Sequence, residues 1–175
     1  MNADTSSDKI LFDFTTAANS PAWQIVNDDV MGGVSTSRFQ FLANGAVLSG
    51  VVSLENNGGF ASVRSSPVRE DLNGCDAFVL RVRGDGRRYK LSARMDGAFD
   101  RAIYQCAFTT KSGVWEERRL PLKDFVASFR GRVLAEEPAL NAAKITSVGF
   151  LISDNQAGPF QLEVAWIKAS PPVGK

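Results

Sequence analysis

The 175-residue chain contains no histidine. That absence removes the usual general base near neutral pH, every Ser-His-Asp or Cys-His arrangement and the commonest zinc ligand. Carboxylates, lysine and tyrosine remain as chemical groups, so a carboxylate-dependent enzyme using Asp28, Asp29 or Glu163 stays open as an alternative. Cysteine is scarce as well. Cys75 and Cys106 sit on separate segments without metal-ligand spacing, and two small buried thiols are expected rather than a disulfide. A charge excess is also missing. Twenty basic residues against nineteen acidic ones leave a net charge of +1, which argues against a bulk electrostatic footprint for nucleic acid. No window approaches the roughly 18 consecutive apolar residues of a membrane span. The opening MNADTSSDK has no basic segment followed by an apolar run, so no signal peptide is read there. The expected compartment is cytoplasmic, or like the mitochondrial matrix in a eukaryote. No metal site and no cofactor are expected.

What is present fits a globular β domain. Twelve Phe and three Trp supply apolar volume, and fifteen Gly and seven Pro leave room for many turns. Short apolar-alternating runs are separated by turn residues, the pattern of a sandwich or barrel. The runs are Lys9–Phe14, Trp23–Val26, Ser35–Leu42, Ala46–Leu54, Ala61–Arg64, Ala77–Arg83, Arg88–Met95, Arg101–Thr109, Trp115–Leu120, Ile145–Ile152 and Gln161–Ala169. About ten strands and less than about 10% helix are expected, against a usual 30–35%. Asn44-Gly45 reads as a type I′ hairpin turn, GDGR (residues 84–87) as a second hairpin turn, and Pro121–Ser128 as the opening of one helical turn. Phe129–Asn141 reads as irregular. The first and last strands are both apolar and are expected to pair. One domain spans 9–169, after a disordered stretch over 1–8 and before a flexible tail over 170–175.

Two glycine-rich loops and one basic pair of strands carry the candidate chemistry. NDDVMGG (Asn27–Gly33), with adjacent Asp28 and Asp29, is either a metal or hydrogen-bonding site or a tight turn in which an Asp caps the backbone and Met31 plugs the core edge; two adjacent Asp offer too few oxygens for calcium. NNGGF (Asn56–Phe60) offers amides and a ring, as a polar ligand site would, or else anchors Phe60 inside. The two loops are expected to meet in space. Alternation along 77–83 and 88–95 places Phe78, Leu80 and Val82 on one side with Tyr89, Leu91, Ala93 and Met95. Paired as a hairpin, the strands set Arg81 and Arg83 beside Lys90 and Arg94 on the opposite face. Directly opposed like charges are destabilising, so an acidic group is expected among them: Glu163 from a neighbouring strand, a ligand or a partner. The candidate binding residues are thus Asp29, Met31 and Ser35; Asn57, Phe60 and Arg64; Arg81, Arg83, Lys90 and Arg94; and Gln105.

Taken in order, Trp23 with VNDDVMGGVSTS (26–37), SLENNGGFASVR (53–64), LRVRGDGRRYKL (80–91), YQCAF (104–108), Trp115 with RLPLKDF (119–125), FRGR (129–132) and ITSVGFLISDNQAGPFQLEVAWI (145–167) resemble the complex I intermediate-associated protein 30 family. The resemblance runs from about residue 10 to residue 169. It implies a jelly-roll sandwich of the galactose-binding-like type, similar in architecture to carbohydrate-binding modules. It also implies assistance in assembling respiratory complex I, with no catalytic residues to carry over. The leading expectation is a non-catalytic protein-binding module, an assembly or chaperone-like factor whose partner is a subunit or intermediate of a membrane complex. A carbohydrate-binding module is the alternative from fold analogy.

Overall fold

The computed structural model describes residues 7–16, 22–95, 102–129 and 131–173. Its strands are β1 (Lys9–Asp13), β2 (Gln24–Ile25), β3 (Thr36–Leu42), β4 (Gly45–Val52), β5 (Ala61–Arg64), β6 (Ala77–Arg83), β7 (Arg88–Met95), β8 (Ile103–Thr109), β9 (Trp115–Pro121), β10 (Val126–Phe129), β11 (Arg132–Val133), β12 (Ile145–Ile152) and β13 (Gly158–Ser170). Strand accounts for 54% and helix for 8%, as the alternation requires. The described residues form thirteen strands where about ten were expected. The added ones include β10 and β11, which lie in and just before the stretch read as irregular. The helical turn after Pro121 shrinks to Leu122–Asp124.

Two antiparallel sheets pack into a sandwich. The six-stranded sheet runs β3-β4-β13-β6-β9, with β1 added to β13, and the seven-stranded sheet runs β11-β10-β8-β7-β12-β5-β2. The 13-residue β13 is the spine of the first sheet. Its first half pairs with β4 and its second half with β1, while β6 lies along its other edge. The expected pairing of the first and last strands is therefore present. The core is what the period-two pattern dictates: Phe78, Leu80 and Val82 of β6 face Tyr89, Leu91 and Ala93 of β7 and Phe150 and Ile152 of β12, all at most 1% exposed. Aromatic rings close one part of the core. Trp23 packs edge-on to Phe12 and Phe14 and stacks on Phe150, while Phe39 and Phe41 share one side of β3. Cys106 is buried and Cys75 half-buried, and both are free thiols.

Two turns differ from the sequence reading. In the β3–β4 hairpin, Leu42 pairs with Gly45, so Ala43-Asn44 form the loop, and Asn44 does not take the positive φ of a type I′ turn. The second difference is larger. GDGR does not join neighbouring strands: β6 lies in the six-stranded sheet and β7 in the seven-stranded one. The physical reason is visible at Asp85. Its Oδ1 accepts from the Tyr89 hydroxyl at 2.9 Å and the Arg87 N–H at 3.1 Å, and its Oδ2 accepts from the Gln161 N–H at 2.9 Å. These bonds tie the crossing chain to β13 and to the core side of β7. Matching apolar faces thus meet across the core instead of side by side.

The disordered N-terminus expected over 1–8 falls mostly on residues outside the described set, as do Arg101, read as a strand start, and the end of the expected tail. Ser170, placed in that tail, belongs to β13 and is 7% exposed.

Candidate functional site

The two glycine-rich loops meet around one carboxylate. Asp28, fully buried, opens a short 3-10 turn over Asp28–Met31. Its side chain accepts from the Ser35 N–H at 3.0 Å, the Ser35 hydroxyl at 2.5 Å, the Gly59 N–H at 2.7 Å and the Phe60 N–H at 3.3 Å. Burial alone would raise its pKa. The bonds from Ser35, Gly59 and Phe60 outweigh burial and hold the carboxyl below its usual value. Ser35 then passes the network on, because its Oγ accepts from the Ser53 N–H at 2.9 Å. Asn27 does the same beside it, accepting from Ser37 and from the Ser62 N–H. Ser35, Ser37 and Ser53 belong to the six-stranded side, and Gly59, Phe60 and Ser62 lead into and through β5 of the other sheet. The knot therefore staples the two sheets at one edge.

The glycines exist to admit that carboxylate. A Cβ on Gly33 would stand 2.4 Å from the Asp28 Cγ, and one on Gly58 would stand 2.5 Å from Oδ2. Neither contact is possible for a real side chain. The expected proximity of the two loops is thus present, and its agent is Asp28, the capping Asp of the tight-turn reading. Of the nominated residues, Ser35 and Phe60 are inside this knot. Asp29 and Asn57 are exposed at its surface, Asn57 with a φ of 59°. Met31 does not plug the core edge. It is 60% exposed, because the carboxylate of Asp28 fills the interior position instead.

What the knot displays is apolar. Val30 is 70% exposed, Val34 47% and Leu54 43%. Together with Met31 they project from backbone fixed by the Asp28 network. Residues 27–37 and 53–60 carry three carboxylates and no basic residue, so the tip is apolar with an acidic rim at Asp29 and Glu55.

The four basic residues expected on one surface are divided between two. Arg81 and Arg83 lie on the outer face of the six-stranded sheet. There Arg83 is the register partner of Glu163 and Trp115 and makes a forked ion pair to Glu163, with Nη2 to Oε1 at 2.9 Å. Glu163 is thus the acidic neighbour expected for this group. Arg81 reaches Glu117 at 3.9 Å, and both guanidiniums stand over the Trp115 ring, at 5.5 and 5.0 Å. Lys168 covers a second ring, Trp166, at 4.0 Å.

Arg64, Lys90, Arg94 and Gln105 share the outer face of the seven-stranded sheet. One register row crosses it as Gln24, Arg64, Gly149, Ser92, Gln105 and Val126. The adjacent position pairs Arg94 with Ser147. Lys90 is neutralised by Asp154 at 3.1 Å and held by the Ser153 hydroxyl at 3.2 Å. Among the described residues, no cluster of three or more Cys, Asp or Glu side chains is arranged to hold a metal ion.

Comparison with known proteins places this geometry. A family model described as complex I intermediate-associated protein 30 matches residues 12–164. The mitochondrial complex I intermediate-associated protein 30 of Drosophila melanogaster is 29% identical, over 90% of this chain and 61% of its own. That of Mus musculus is 29% identical, over 91% of this chain and 55% of its own. The chain thus spans a little over half the length of these curated relatives. Among solved structures, a family 11 carbohydrate-binding module of Clostridium thermocellum, in complex with a mixed-linked tetrasaccharide, superposes with a TM-score of 0.67 at 17% identity, covering 96% of this chain and 98% of that one. An agarase superposes with a TM-score of 0.65 at 10% identity, over 96% of this chain and 25% of the agarase. At such identities the likeness is one of fold, a galactose-binding-like jelly-roll sandwich.

Proposed function

The chain belongs to the complex I intermediate-associated protein 30 family, and we propose that it is a non-catalytic protein-binding module that assists assembly of a membrane respiratory complex. The curated relatives are named for association with complex I intermediates and as mitochondrial proteins, which supports a partner among such subunits and a matrix-type compartment or its cytoplasmic equivalent. No helix among the described residues is long and apolar enough to cross a membrane. The observation that carries the reading is the exposed tip of Val30, Met31, Val34 and Leu54, fixed by a buried carboxylate. Large apolar side chains displayed on rigid backbone mark an interaction surface. The acidic rim of Asp29 and Glu55 favours a protein with basic flanks over an anionic lipid surface. The rest of the reading is a single working domain over 9–169, with Ser35, Asn57 and Phe60 shaping the tip from behind.

The test is a double variant, Met31→Ser with Leu54→Ser, followed by capture of membrane-complex intermediates under mild detergent. The melting temperature is expected to stay near that of the parent while capture is lost. Undiminished capture by a folded variant would sink the proposal. Carbohydrate binding remains the second reading, supported by the fold of the solved neighbours. The cations standing over Trp115 and Trp166 cover ring faces that a sugar would stack on, which weighs against it. A glycan array decides it directly.

A further inference from the structure

We propose that the open edge of β3 is a self-association site, at which a second copy of this chain adds its own β3, antiparallel, across a two-fold axis centred on Phe39. β3 ends the six-stranded sheet, and a strand in that place carries a row of unpaired backbone groups. Which groups these are follows from the ladder. On β13, the Gln161 N–H turns away from β4 to Asp85, and Pro159 has no N–H to give. The bonds between β13 and β4 therefore run through Phe160, Leu162 and Val164, opposite Gly50, Leu48 and Ala46. Alternate residues of a strand point their polar groups to opposite sides, which leaves Val47, Ser49 and Val51 to bond Gln40, Arg38 and Thr36 on β3. Ser37, Phe39 and Phe41 then turn N–H and C=O outward. Among the described residues no hydrogen bond reaches those backbone groups.

Sheet ends are usually protected by shortness, charge, proline or a bulge. The other ends here have such protection. β2 and β11 are two residues long. β1 carries a register shift between Ile10 and Phe12. β9 strings Glu116, Glu117, Arg118 and Arg119 together and ends in Pro121. β3 instead runs seven residues in unbroken register, without proline and with Arg38 as its single charge. Large apolar side chains flank the open groups: Phe41 is 40% exposed and Leu42 56%.

Charge and bonding together select the register. Centred on Phe39, the two-fold pairs Phe39 with Phe39 of the partner copy and Ser37 with its Phe41, so every outward N–H and C=O on both chains is used. Arg38 then stands across from Gln40, and Leu42 across from Thr36. Moving the axis to Arg38 would oppose two arginines, which is destabilising. Moving it to Gln40 would carry Ser37 past the end of the partner strand. The interface is isologous and closes on itself. The apolar tips, each just before β3, lie at opposite ends of the junction.

The experiment follows the full chain by sedimentation velocity over a dilution series, with amide hydrogen exchange read at both ends of the series. A monomer–dimer equilibrium is expected, with the Ser37, Phe39 and Phe41 amides protected in the dimer and exchanging in the monomer. Gln40→Lys puts a cation across from Arg38, and Gln40→Glu an anion. The first should weaken and the second tighten association by about threefold or more, since the two-fold makes each contact twice. Adding Arg38→Glu to Gln40→Lys should restore it. Gln40 is exposed, so the melting temperatures should stay near that of the parent. A chain that is monomeric throughout, a dimer indifferent to the charge at position 40, or a dimer whose three amides exchange freely would each overturn the proposal. So would protection of those amides in a monomeric chain by captured membrane-complex intermediates, which would give the edge to a partner's strand.

Discussion

The Asp28 carboxylate accepts the Gly59 N–H at 2.7 Å across 31 residues of sequence, and through it one sheet of the sandwich is fastened to the other. Hydrogen bonds to a buried charge are each worth about 1.5–3 kcal/mol, and orphaning their donors adds a desolvation cost. Asp28→Asn should therefore destabilise the protein by about 3 kcal/mol or more at pH 7. The pH dependence has a definite sign. A depressed folded pKa contributes stability that is present above the unfolded value near 3.9 and lost as pH falls through the folded one. Melting curves should show parent and variant furthest apart at neutral pH and converging below about pH 4. A constant gap through acid would mean that the charge of Asp28 is not what matters.

Gly58 tests the same contact from the other side. Its φ of −72° suits alanine, so the cost of Gly58→Ala comes chiefly from the approach of the new Cβ to Asp28 Oδ2 at 2.5 Å, with the Glu55 carbonyl oxygen at 3.0 Å as a smaller obstacle. Overpacking of this kind costs about 1–3 kcal/mol. In an Asp28→Ala background the obstructing oxygen is gone, and the added cost should shrink by a measurable coupling energy. Additive effects in denaturant melts would place the role of Gly58 elsewhere.

Tyr89 governs the alkaline limb. Burial, then the charge of Asp85 and the hydrogen bond to it, raise the phenol pKa far above its usual value. A raised folded pKa gives stability that is complete below the unfolded value near 10 and falls away as pH rises beyond it. Tyr89→Phe should cost about 1–2 kcal/mol at pH 7 through the lost bond, and its deficit against the parent should narrow above about pH 10. Tyr104, also raised by burial, leaves part of the alkaline loss in both proteins. Melts from pH 8 to pH 11 check this.

Arg81 should prove dispensable to the fold. Its side chain is 41% exposed, and its carboxylate partner, Glu117, is 60% exposed at 3.9 Å. Exposed pairs contribute about 0–1 kcal/mol, so Arg81→Ala should shift stability by no more than that. A thermal melt showing a loss of several kcal/mol would make the stacked guanidinium over Trp115 a structural element.

Much of the sandwich was legible because alternation reports which side chains are buried. Pattern alone turns Phe78, Leu80, Val82, Tyr89, Leu91 and Ala93 inward, and each is at most 1% exposed. Alternation does not say whether two apolar faces lie side by side in a sheet or opposite each other across a core, since both bury the same residues. That ambiguity turned the β6–β7 crossing into a hairpin and put Arg81 with Lys90 on one surface. The decisive information sits in Asp85, which reads as an ordinary turn residue until Gln161, 76 positions away, is brought beside it. The loops met as expected, but the adjacent pair Asp28-Asp29 offers no local signal for which carboxylate turns inward. The signal lies in the distant Gly58, whose missing side chain only makes sense once the Asp28 Oδ2, 2.5 Å from where a Cβ would stand, occupies that space.

Lys9 at the start of β1 is the register partner of Ala169 near the end of β13. A pull applied through these two points would load the connecting bonds one after another, like a zipper opened from its slider, instead of all at once in shear. The first element to part would be β1, and with it Phe12 and Phe14, 8% and 3% exposed, would leave their places against Trp23. The sandwich is thus mechanically weakest where its ends come together, and a tether acting through both would strip an aromatic corner of the core before it strained the Asp28 knot.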